Sequence, residues 1–127
     1  VSSHKDLIID NSTEKNQLEN LISTAVHRFI RPKIIQLSEK YFLDKDLNKL
    51  IKLQSCFNLI NQKLYPNKFQ ALNLFICASI NLLQNEIKTA QYELNHAINN
   101  LPEVEDNLIL KGLILKYLGF TETKEHF

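Results

Sequence analysis

Apolar residues recur at intervals of three and four along nearly the whole chain, and only two glycines, Gly112 and Gly119, interrupt its 127 residues. That rhythm keeps apolar side chains on one side of a helix of about 3.6 residues per turn. Two glycines and three prolines leave little material for tight hairpins or phosphate-cradling loops. The expectation is an all-α protein of helices joined by short turns.

Residues 1–11 carry no clear rhythm and are expected to be loose. Asn11-Ser12-Thr13-Glu14 matches a glycosylation acceptor but reads better as a helix start, with side-chain oxygens for exposed N–H groups and an acid at the positive end. Leu18, Leu21, Ile22, Ala25, Val26 and Phe29 then form one stripe up to Ile30, and Pro32 breaks that helix or starts the next. Ile34, Ile35, Leu37, Tyr41 and Phe42 mark a second helix, closed by Asp44-Lys45-Asp46, whose aspartates can cap the next helix. Leu50, Leu53, Phe57, Ile60 and Leu64 mark a third, stopped at Tyr65-Pro66-Asn67. From Lys68 to Gln84 apolar residues cover nearly every side, as in a helix sandwiched between neighbours. Ile87, Ala90, Leu94, Ala97, Ile98 and Leu101 form a further stripe ending at Pro102. An acidic cap, Glu103 to Asp106, leads into Leu108 to Leu118, again apolar on most sides. Gly119 closes that helix, and the tail from Thr121 begins one more, for six to seven helices in all.

No run is long and uncharged enough for a membrane span. The chain starts at Val1 and lacks methionine, which suits a piece of something longer. Net charge is +1, divided unevenly: Arg28 to Lys68 holds nine basic residues against three acids, and Pro102 to Phe127 three against five. The basic residues lack aromatic interleaving and read as solvated helix surface, not as a nucleic-acid contact. Cys56 and Cys77 lack CxxC spacing and sit in apolar patterns, so they are expected to be two buried, reduced thiols of a cytoplasmic protein.

Nothing marks an enzyme, a metal site or a cofactor site. The four histidines form no HExxH and no pair spaced for a metal. Glu93 and His96 lie one turn apart, but without a nucleophile or oxyanion donors they read as an ion pair. The apolar setting of both cysteines argues against a reactive thiolate.

A fixed step of 34 residues links Ala78 with Gly112, and Asn85 with Gly119. Small Ala78, Ala90 and Ala97 would let paired helices approach, Leu94 would fill the gap to the next pair, and Pro102 would end the unit. With Asn85 at the turn, these offsets resemble the tetratricopeptide repeat, although Leu74 and Asn81 stand where that family has tryptophan and tyrosine. The resemblance implies stacked antiparallel helical hairpins in one domain over 12–127. Its best repeat is 71–104 and its truncated repeat 105–127, while 34–66 is degenerate. It also implies a groove lined by Leu72, Phe75, Ser79, Leu82, Ile109, Leu113 and Lys116, with Asp106 at its edge. A mainly apolar groove suits an amphipathic helix or hydrophobic peptide. The N-terminal helix or a second copy of the chain could cover the same face instead.

The run NLILKGLILKYLG, with ALNLFICASINLLQNEIKTAQYEL before it, is similar in texture to the helical-repeat domains of peptide-responsive bacterial transcription regulators. That likeness implies a non-catalytic peptide-binding regulatory domain, with a DNA-binding segment upstream. Two alternatives stand beside it: a small chaperone similar to those of type III secretion systems, and a helical dimerisation domain with no separate ligand.

Overall fold

A computed structural model describes residues 2–63, 69–101 and 107–125, and side chains within 13–62, 69–101 and 107–123. The expected stops at Tyr65-Pro66-Asn67 and Pro102, the acidic cap at 103–106, and Asp106 lie outside them. The described residues are helical apart from short turns and contain no strand, as the three-four rhythm requires. The elements are α1 (Ser2–Ala25), a π-helical turn (Val26–Ile30), α2 (Arg31–Leu43), α3 (Leu47–Lys63), α4 (Gln70–Leu83), α5 (Ile87–Asn99) and α6 (Leu108–Glu125). Helix is unbroken over 2–43, so the described residues form five continuous stretches where six to seven helices are expected.

The chain divides into two compact units, Val1–Lys33 and Ile34–Phe127. The first is essentially one rod. It begins at Ser2, so the Asn11-Ser12-Thr13 cap and the segment expected to be loose lie inside α1. Pro32 does not interrupt the helical run but lies in the first turn of α2, the second of the two places expected for it. Proline offers no N–H to the carbonyl four residues back, and its ring crowds that carbonyl. The π turn just before it widens the ladder, with the Arg31 N–H donating five residues back to Val26. Within this unit Leu18, Leu21 and Phe29 remain more than half exposed, because a single rod cannot bury its own stripe.

In the second unit α4 packs against α3, α5 and α6. Its all-round apolar character is used as expected: Ala71, Leu72, Phe75, Ile76, Ala78, Ser79, Ile80 and Leu82 are buried. On α5, Ala90, Leu94 and Ala97 are fully buried, two small residues allowing close approach and one leucine filling the space between. On α6 the buried side is Leu110, Leu113, Ile114, Tyr117 and Thr121.

The turns repeat, but at a step of 40 residues and not 34. Lys45 accepts its place in the left-handed region (φ 56) as Asn85 does 40 residues later (φ 63). In each turn that residue's N–H donates three residues back, Lys45 to Phe42 and Asn85 to Leu82, at 3.0 and 3.1 Å. The next N–H donates five back, Asp46 to Tyr41 and Glu86 to Asn81, both at 2.8 Å. This pair of bonds is the Schellman closure of a helix end. Asp46 then caps α3, accepting from the Lys49 N–H at 3.1 Å, as its position suggests. Glu86 occupies the same place before α5 without a side-chain cap.

The 34-residue equivalences do not hold in the structure. Ala78 is fully buried while Gly112 is exposed, and Gly119, the expected turn, lies inside α6, which continues to Glu125. Neither glycine has a positive φ. A glycine costs a helix interior only about 1 kcal/mol, which tertiary packing of the opposite face outweighs.

Candidate partner-binding surface

The seven positions expected to line a groove do not share one surface. Leu72, Phe75, Ser79 and Leu82 are no more than 1% exposed and Leu113 is 9% exposed, so five of them belong to the core. The Ser79 hydroxyl donates to the Phe75 carbonyl at 2.8 Å and is satisfied within its own helix. Ile109 and Lys116 are exposed on the other side of α6. The signal for this division lay in the sequence: a helix covered on every side has no face left to form a groove wall.

Phe75 lies in an aromatic cluster drawn from α2, α4 and α6. Tyr117 is its centre, with ring centroids 4.5 Å from Phe42, 4.9 Å from Phe75 and 5.5 Å from Phe120. The Tyr117 hydroxyl is buried with no hydrogen-bond partner. Burial, and secondarily the charge of Glu39, pushes its pKa far above the ordinary tyrosine value. The phenol therefore stays protonated and serves packing, not proton transfer.

A half-buried polar seam runs across α3, α4 and α5. Gln54 Nε2 donates to Cys77 Sγ at 2.9 Å, and one turn along α4 Asn81 Nδ2 donates to Glu93 Oε1. Burial raises the Cys77 pKa first and the neighbouring Glu93 charge raises it further, while the Gln54 hydrogen bond opposes both. Cys77 is thus held as a thiol. Cys56, expected to be buried, is exposed, and both cysteines are free. A thiol reagent is expected to label Cys56 on the order of tenfold faster or more than Cys77, read by mass spectrometry against time. Equal rates would contradict this placement.

Burial also raises the Glu93 pKa, against the hydrogen bond from Asn81. A carboxyl whose folded pKa exceeds its unfolded one stabilises the fold below the unfolded value, and that contribution is lost as pH rises through the folded one. Glu93→Gln keeps an acceptor for Asn81 without the charge. The variant is expected to be the more stable near neutrality, and its advantage to shrink as pH falls through the carboxylate range, in paired urea denaturations. Glu93 is not ion-paired with His96 as expected; the His96 ring instead stacks on Tyr92, centroids 6.2 Å apart.

Among the described residues no group of three or more His, Cys, Asp or Glu is placed to hold a metal ion. None of their helices is long and apolar enough to cross a membrane. What α6 does offer is a bare apolar side. Leu108 and Leu115 are 64% and 51% exposed, with Gly112 and Gly119 on the same side, Lys111 along one margin, and Lys116 with Ile109, itself 73% exposed, along the other. The helix expected to be apolar on most sides is therefore packed on one side only. Leu108 with Leu115, and Gly112 with Gly119, stand seven apart in the sequence. Comparison with protein-family models, with curated proteins and with solved structures finds no match.

Proposed function

We propose that the chain is a non-catalytic module that binds polypeptide, and that it does so with the outward side of α6. The carrying observation is the exposure of Leu108 and Leu115, with Ile109 on their margin, on a helix whose opposite side is fully packed. Covering a leucine or isoleucine completely is worth about 1.5–3 kcal/mol, so three together give a partner helix a substantial anchor. The turn repeated at 40 residues supports a stack of helical hairpins with a longer step than the tetratricopeptide one. The texture of NLILKGLILKYLG makes the regulatory domain of a cytoplasmic bacterial transcription regulator the setting we propose. The secretion-chaperone alternative needs an open groove along α4, and the residues assigned to that groove are core.

The test is recovery of polypeptide on the tagged chain from its native host, compared with Leu115→Glu. Loss of bound polypeptide with unchanged circular dichroism is the expected result. Undiminished binding by both Leu108→Glu and Leu115→Glu would remove the α6 surface from consideration.

A further inference from the structure

We infer that the occupant of the α6 surface is the α6 of a second copy, docked antiparallel; this rests on the polypeptide-binding reading above. Leu108, Gly112, Leu115, Gly119 and Glu122 follow one another at steps of four and three, and all five are exposed. That is the spacing of a coiled-coil seam. Along it knobs alternate with holes, since a Cβ added at Gly112 or Gly119 would meet nothing within 4 Å. Each glycine costs the helix about 1 kcal/mol relative to alanine, and no described neighbour in the chain needs the space. Close approach of another backbone does need it.

The seam is self-complementary in one orientation. When two copies of α6 run antiparallel with Gly112 opposite Leu115, two-fold symmetry sets Leu108 opposite Gly119, and every one of the four layers puts a leucine over a glycine. On the margins, Lys111 then lies beside Leu118 of the second copy and Lys116 beside Ile109 of the second copy. Each lysine can run its methylenes along an aliphatic side chain and keep its ammonium in water. The parallel arrangement stacks leucine on leucine and glycine on glycine, and it sets Lys111 against Lys116 across the seam. Charge and shape therefore choose the same orientation. One helix face per chain makes an interface at the small end of the specific range, so association is expected at roughly micromolar concentration.

Sedimentation equilibrium of the whole chain, from about 1 to 300 μM, should show the 14.8 kDa monomer giving way to a species of twice that mass. Gly112→Leu should weaken the dimer at least tenfold while favouring the helix itself, and Leu115→Glu should do the same with unchanged circular dichroism. In a Cys56→Ser/Cys77→Ala background, Leu108→Cys chains mixed with Gly119→Cys chains should cross-link to each other under oxidation, and Leu108→Cys chains alone should not. Cross-links from 108 to 108, or a dimer indifferent to both seam variants, would overturn the inference. A monomer that still binds other polypeptide through α6 would overturn the dimer and spare the proposed function. A monomer that binds none would overturn both.

Discussion

Phe75→Ala is expected to destabilise the second unit by about 3–5 kcal/mol, the range for emptying an aromatic site in a packed core. The side chain is fully buried on the helix that packs against α3, α5 and α6, and its ring is 4.9 Å from that of Tyr117. Domains of this kind have about 5–15 kcal/mol in total, so the loss is a large fraction. It should appear in urea denaturation as a lower midpoint with little change in slope. Phe75→Glu, which strands a carboxylate in the same place, should abolish cooperative folding. Full helicity and an unchanged midpoint in Phe75→Glu would show that α4 faces a groove after all.

Tyr117 should give effects of opposite sign. Tyr117→Ala removes the ring that joins Phe42, Phe75 and Phe120 and should cost about 3–5 kcal/mol. Tyr117→Phe keeps the ring and deletes a hydroxyl that is buried without a partner. An orphan buried hydroxyl costs about 1–3 kcal/mol, so the phenylalanine variant should match or exceed the parent in stability. Thermal melts of both variants beside the parent decide it; a destabilised Tyr117→Phe would mean that the hydroxyl is hydrogen-bonded in solution.

Much of this architecture could be read in the chain. Ala90, Leu94 and Ala97 announce a close helix crossing, and all three are fully buried on α5. Asp46 announces a cap and accepts the Lys49 N–H. Other residues misled for definite reasons. Of the two places expected for Pro32, the break fails because a π turn absorbs it. Gly119 looks like a turn, yet it costs the helix less than packing by Tyr117 and Thr121 returns. Lys45 carries no sign of the left-handed conformation it adopts, because the Schellman bonds around it supply what its side chain does not favour.

The sequence by itself determined that the chain is helical and that α4 is covered on all sides, because spacing along the chain maps directly onto the faces of a helix. Only the tertiary structure decided which apolar faces stay bare. Leu108 and Leu110 are two residues apart and chemically identical, yet one is 64% exposed and the other fully buried. That difference belongs to the neighbours that pack against α6, and periodicity alone does not say on which side they stand.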